Sequence, residues 1–191
     1  MPENIFKEDI EKALQVLHAG GTILYPTDTI WGIGCDATNN EAVKKIIELK
    51  QRPKQKSFVV LVADKKDVLR YTASPDLSVF DFLQKTTKPT TVIYEHALGL
   101  AENVCNADGT VAIRVCNDEF CRHLIKRFRK PVVSTSANVS GKISPKNFSL
   151  IEDVIKANVD YVVKYRQEDL TETEPSAIIK WIRSKPEIIR S

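Results

Sequence analysis

The sequence predicts an α/β fold: a single domain, residues 1–191, in which a mixed β-sheet is covered by helices. Two patterns carry this expectation. Segments with helical spacing of apolar residues alternate with short apolar runs of strand length. A few of the strand segments follow one another directly, which suggests a mixed sheet. Hydrophobic residues make up 42% and charged residues 28% of the chain, enough for a packed core. No internal repeat, low-complexity tract or long linker divides it.

The elements follow in order. Ile10, Ala13, Leu14 and Leu17 recur at helical spacing, and Gly20-Gly21 stops them. Residues 22–25 read as a short buried strand ended by Pro26, with a turn-rich loop from there to Ala37. Asn39 or Asn40 can cap a helix with Val43, Ile46, Ile47 and Leu49 on its apolar face. Phe58 to Ala63 is a buried strand. Helices are expected around 65–70 and 76–84, then strands at 91–94 and 110–116. Phe120, Leu124, Ile125 and Phe128 mark a further helix, and 131–134 a strand that opens into a polar loop to Asn147. Ile151, Val154 and Ile155 mark the last helix. Strands at 161–164, 177–182 and 187–189 complete the chain. The polar segment Tyr165–Pro175 reads as a mobile surface loop or a lid.

The formal net charge of +3 permits an anionic partner without demanding one. Cys35, Cys105, Cys116 and Cys121 show no Cys-x-x-Cys spacing, and the histidines do not cluster with them, so a structural zinc site is not expected. The N-terminus runs into a charged amphipathic segment, and no stretch approaches membrane-spanning length. The expectation is a cytoplasmic protein with reduced thiols and no membrane partner.

Three loops have compositions that do not suit a core. The first, Tyr25-Pro-Thr-Asp-Thr-Ile-Trp-Gly-Ile-Gly-Cys-Asp-Ala37, packs hydroxyls, a carboxylate and two glycines after a strand. Glycines let backbone approach a ligand closely, although a tight turn explains them equally. It is neither a dinucleotide fingerprint nor a Walker loop. In the second, Lys50, Arg52, Lys54 and Lys56 fall within seven residues at a helix end. Dipole compensation is the plain explanation. The spacing of Lys50 and Arg52 before Pro53 also suggests a rigid exit that aims both heads outward, suited to a triphosphate. The third, Ser134-Thr-Ser-Ala-Asn-Val-Ser-Gly141 with Ser144, is a run of small hydroxyl and amide residues of the kind that forms anion-binding concavities. Arg114 shares a strand face with Ala112, and a charged head there needs a partner or a substrate.

On Tyr25-Pro-Thr-Asp-Thr29 with Gly32-Ile-Gly34, Lys50-Gln-Arg52-Pro53, Thr110-Val-Ala-Ile-Arg114-Val, Ser134-Thr-Ser-Ala-Asn-Val-Ser-Gly141, and Pro175-Ser176 with Arg190, the chain resembles the YrdC-like family of threonylcarbamoyl-AMP synthases in its short, single-domain form. The resemblance implies a twisted, mixed α/β sheet with a basic concave face. It implies a nucleotidyltransferase that forms threonylcarbamoyl-AMP and pyrophosphate from ATP, L-threonine and bicarbonate, with Mg2+ accompanying ATP. Partner proteins then transfer the threonylcarbamoyl group to tRNA. Residue by residue, it implies that Thr29, Arg114, Ser134 and Ser176 contact threonine. Lys50, Arg52, Lys56, Ser136, Asn138, Ser144 and Arg190, with the Thr110 backbone, line the ATP site, and Lys50 and Arg52 are the catalytic pair. No protein metal site is implied; Asp28 or Asp36 could help place magnesium, but phosphate oxygens alone often hold it.

Catalysis of this kind rests on positioning and charge stabilisation, so His18, His96 and His123 are not expected to take part. Two alternatives stand beside it. One is a catalytically weak paralogue that binds nucleotide or RNA, to which the basic residues Arg122, Lys126, Arg127, Arg129 and Lys130 would contribute. The other is a carbamoyl-adenylate enzyme of hydrogenase maturation, a class with much larger, cysteine-rich chains.

Overall fold

The computed structural model describes residues 5–52 and 58–191. Among these, six helices and nine strands alternate: α1 (Lys7–His18), β1 (Ile23–Tyr25), β2 (Gly32–Gly34), α2 (Asn40–Leu49), β3 (Val59–Val62), α3 (Lys65–Tyr71), α4 (Ser78–Lys85), β4 (Thr90–Tyr94), β5 (Val111–Val115), α5 (Glu119–Phe128), β6 (Val132–Ser136), α6 (Asp153–Ala157), β7 (Tyr161–Val162), β8 (Ala177–Ile182) and β9 (Lys185–Arg190). The strands form one sheet in the order β7-β1-β2-β6-β3-β5-β4-β8-β9. Strands β1/β7, β3/β5 and β4/β8 pair parallel, and the other neighbours pair antiparallel. The sheet is mixed, as the sequence predicts.

The helix starts are chemically defined. The Asn39 side chain accepts from the N–H groups of Glu41 and Ala42, which settles the choice between the two asparagines. Asp64 and Asp67 form a capping box on α3, and Asp118 accepts from Cys121 N–H to cap α5. The buried carboxylate of Asp9 accepts from the Tyr161 hydroxyl at 2.6 Å and from the N–H groups of Lys164 and Tyr165, tying α1 to the β7 edge.

Strand register separates the two faces of the central sheet. Val133, Val60, Ile113 and Val92 stand side by side in one transverse row, and all are buried. Helices α3 and α5 pack against this region. The adjacent row runs Ser134, Val59, Ala112, Ile93 and, because side chains alternate along a strand, belongs to the opposite face. Ser134 and Ala112 in that row are small, and the row lines a cleft.

Strand β2 departs from the expectation of a continuous loop between Pro26 and Ala37. It has three residues, two of them glycine, so no apolar alternation marks it. The glycines do not face empty space. A Cβ on Gly34 would lie 2.6 Å from the Tyr25 ring and 2.6 Å from the Val133 carbonyl; one on Gly32 would lie 3.1 Å from Ser134 Oγ. Tyr25 spans this strand and donates its hydroxyl to the Val133 carbonyl at 3.0 Å. The segment Tyr165–Pro175, expected as a mobile loop or lid, makes contacts with the body of the fold. Arg166 donates to the Thr27 carbonyl and ion-pairs with Asp118, while Thr173 bonds the Lys146 carbonyl through both its N–H and its hydroxyl.

Candidate functional site

The row that includes Ser134 forms the floor of a cleft of about 300 Å³. Val59, Ile93, Ala112 and Ser134 supply the floor, and two residues further along their strands Arg114 and Ser136 face the same way. Thr29, Trp31 and Gly32 form one wall, Ser144 and Arg52 another, and Pro175, Ser176, Ile189 and Arg190 a third. The strand order brings these segments together from six parts of the chain. A larger hollow of about 500 Å³ lies beside it, lined by Asp28, Asp64, Lys65, Asn117 and Arg122 among others. The smaller cleft is where guanidinium and hydroxyl groups converge, and convergent polar groups rather than volume mark a binding site.

The cleft holds three guanidinium groups and no carboxylate among its described lining. Arg114 is buried; its Nη2 lies 3.0 Å from Asp28 Oδ1 and donates to Thr29 Oγ1 at 3.2 Å. Its Nε is buried with no hydrogen-bond partner. Thr27 Oγ1 donates to the Ile30 carbonyl at 2.8 Å, which uses its one proton. In the 3.0 Å Thr27–Thr29 contact the donor is therefore Thr29, which leaves the Thr29 oxygen to accept from Arg114. Arg190, from the edge strand, donates Nε and Nη2 to the Ser176 carbonyl at 3.1 and 2.7 Å. The Ser176 hydroxyl meets Thr91 Oγ1 at 2.8 Å. Partial burial of its guanidinium, and then the charge of Arg114, lowers the Arg190 pKa, although the residue as a whole is exposed, and burial lowers that of Arg52. The Arg52 guanidinium lies 4.6 Å over the Phe58 ring.

Of the residues expected to form the site, Thr29, Arg52, Arg114, Ser134, Ser136, Ser144, Ser176 and Arg190 meet at this cleft. Lys50 does not aim outward. It is 1% exposed, and its ammonium donates to the carbonyls of Ser136 and Asn138, with Asn138 Oδ1 at 3.4 Å. The Lys50 carbonyl in turn accepts from Ser140 N–H at 2.8 Å. These oxygens suit an ammonium, while burial first and Arg52 second draw its pKa down to about 7. Asn138 lies behind the cleft wall and donates to the Val139 and Lys142 carbonyls, which folds the hydroxyl-rich loop. Thr110 stands off the cleft: its N–H and hydroxyl both reach Asp108 Oδ1, and its carbonyl accepts from Asn106 N–H. Lys56 lies outside the described residues.

Trp31 is a contribution the sequence reading did not assign, and Asp28, weighed there only for magnesium, is another as the partner of Arg114. Trp31 packs against Phe148 at 4.8 Å between ring centroids and lines the cleft. No local pattern marks either role, because both depend on partners far along the chain. Of the histidines, His18 packs on Phe128 and His123 on Phe6, and neither lines the cleft. All four cysteines are free thiols. Asp36, the other carboxylate considered for magnesium, ion-pairs with Lys130 at 2.6 Å and is not on the cleft lining. No group of three or more His, Cys, Asp or Glu that could hold a metal forms among the described residues. Nor is any helix among them long and apolar enough to cross a membrane.

Comparison with known proteins identifies the family and the fold. The family model for Sua5, YciO and YrdC proteins, described as "Telomere recombination", matches residues 15–191. A threonylcarbamoyl-AMP synthase of Pseudoalteromonas translucida is 30% identical over 173 residues, covering 88% of this chain and 91% of that protein. One from Idiomarina loihiensis is 31% identical over 146 residues, 75% of this chain and 78% of that protein. Among solved structures, P. abyssi Sua5 complexed with L-threonine superimposes with a TM-score of 0.83 at 24% identity. That match covers 95% of this chain and 53% of the other, so the chain spans about half of P. abyssi Sua5.

Proposed function

The chain belongs to the Sua5/YciO/YrdC family, and from that premise we propose that it is a threonylcarbamoyl-AMP synthase, a nucleotidyltransferase acting on ATP and L-threonine. The observation that carries this reading is the cleft with three guanidinium groups, six serine or threonine hydroxyls and no carboxylate in its described lining. An amino-acid carboxylate and a triphosphate both need cationic donors, and a carboxylate in the wall would repel them.

Arg114 and Thr29 contact each other and share the cleft lining with Ser134 and Ser176, and we assign these four to threonine. The Arg114 fork matches a carboxylate. Arg52, Ser136, Ser144 and Arg190 are assigned to ATP, with Arg52 stabilising charge on the transferring phosphate. Lys50 and Asn138 are assigned to the same end through the loop they hold. The Thr110 backbone and Lys56 remain part of the proposal for the ATP site.

Bicarbonate supplies the carbon. The threonine amine adds to it with loss of water to give an N-carboxylate. That carboxylate attacks the α-phosphorus, and pyrophosphate leaves. The protein contributes alignment and charge, not a nucleophile. Magnesium enters as the metal–nucleotide complex, since the described cleft lining offers no carboxylate ligand and phosphate oxygens suit the ion. The product is destined for tRNA through a partner transferase. Support for direct tRNA contact comes from a further hollow whose lining includes Arg70, Lys126, Arg129 and Lys130, with Asp67 beside Arg70.

The test is pyrophosphate release from ATP with magnesium and bicarbonate, with and without L-threonine, and with serine as control. Release that needs threonine and bicarbonate, with an adenylate product of the right mass, supports the reading. Release that ignores the amino acid favours the weak nucleotide- or RNA-binding paralogue.

A further inference from the structure

We propose that Asp28 is a positioning residue for amino-acid binding: it fixes the Arg114 guanidinium from behind the cleft, so that the open edge of the fork meets the substrate carboxylate. The inference rests on the synthase reading above. Both side chains are deeply buried, Arg114 at 5% and Asp28 at 10% exposure, with Nη2 and Oδ1 3.0 Å apart. The same Nη2 donates to Thr29, so one nitrogen meets both protein partners. Nε is left buried and unpartnered. A buried donor without an acceptor is costly, so the protein's own contacts leave part of the guanidinium unsatisfied.

The two residues belong to different spaces. Arg114 lines the cleft, whereas Asp28 lines the separate 500 Å³ hollow with Asn117 and Arg122. Asp28 therefore does not face the substrate. Its other oxygen accepts from Asn117 N–H at 3.4 Å, on the segment that follows β5. The contact with Arg114 is within ion-pair distance, but Oδ1 lacks a hydrogen bond of good geometry. This is charge attraction to one nitrogen, not a two-point fork, so the fork's bidentate capacity is not consumed. Asp28 also offsets the charge of Arg114, which is near enough to Arg190 to lower its pKa. An arginine held this way loses less side-chain freedom on binding than an untethered one.

The test is steady-state kinetics of Asp28→Asn, which keeps the shape and removes the charge. The KM for L-threonine should rise by about tenfold, while the KM for ATP and kcat at saturating threonine stay within about twofold. In an Arg114→Lys background the same change should add no more than about twofold, because the group being positioned is gone. An unchanged threonine KM, equal rises for threonine and ATP, or full additivity with Arg114→Lys overturns the inference. If Asp28→Asn shows no cooperative thermal unfolding, Asp28→Glu decides. Its longer arm displaces the guanidinium, so the threonine KM should rise by about threefold with that for ATP unchanged. An unchanged threonine KM in the glutamate variant overturns the inference. A wild-type chain without threonine-dependent pyrophosphate release overturns the synthase reading and this inference together.

Discussion

Lys50 ends α2 with its ammonium turned inward onto the Ser136 and Asn138 carbonyls, and that contact gives the residue a measurable pH signature. Its folded pKa is drawn down to about 7, whereas the unfolded chain holds the proton to about 10.4. Above pH 7 the unfolded state therefore binds more protons than the folded one, and stability should rise with pH through this window. Urea midpoints at pH 7.0 and 8.5 should show the rise in the wild type and lose it in Lys50→Met. Arg52 is the simpler case. Arg52→Ala should cost about 1.5–3 kcal/mol in kcat/KM for ATP, read from initial rates, if the guanidinium meets phosphate. Both residues belong to one Lys-x-Arg segment, yet only Arg52 reaches the described cleft. Sequence spacing could not separate them, because the oxygens that capture Lys50 lie some 86 residues away. Arg114 was legible for the opposite reason. A charge on an otherwise apolar strand declares a need for a partner, although not that the partner is Asp28.

At the scale of elements, the long apolar runs and the helical spacings were readable, because burial of one face imposes them. The helices and eight of the nine described strands match the expected segments to within a few residues. β2 escaped because tyrosine, not a side chain of its own, fills the space above it. Gly34→Ala would drive a Cβ into the Tyr25 ring and the Val133 carbonyl, and the latter is backbone that cannot swing aside. A loss of about 1–3 kcal/mol is expected in chemical denaturation, from overpacking alone. The Asn39 cap offers a milder comparison: Asn39→Ala should cost about 1 kcal/mol, visible as a lower melting temperature with pyrophosphate release unchanged.

Across the whole molecule, the sheet is protected at its centre and open at its β9 end. β3, β5 and β6 are flanked by paired neighbours, whereas every residue of β9 is exposed and pairs only with β8. Hydrogen exchange should therefore be slowest in the amides of β3 and β5 and fastest, among the long strands, in β9. The cleft spans this gradient, since its floor is central and Arg190 is on the edge. ATP and threonine together should slow exchange in β9 more than in β3; equal protection in both would place Arg190 outside the bound site.

The wall residue Trp31 gives the molecule an optical handle. The chain has two tryptophans. Trp31 is 6% exposed against Phe148 in the cleft, while Trp181 sits on β8 with its indole N–H on Asp76. Indole emission shifts with the polarity and charge around the ring. In a Trp181→Phe chain the remaining signal comes from the cleft wall alone, so occupancy by each substrate can be followed as a spectral change without a label, and in real time.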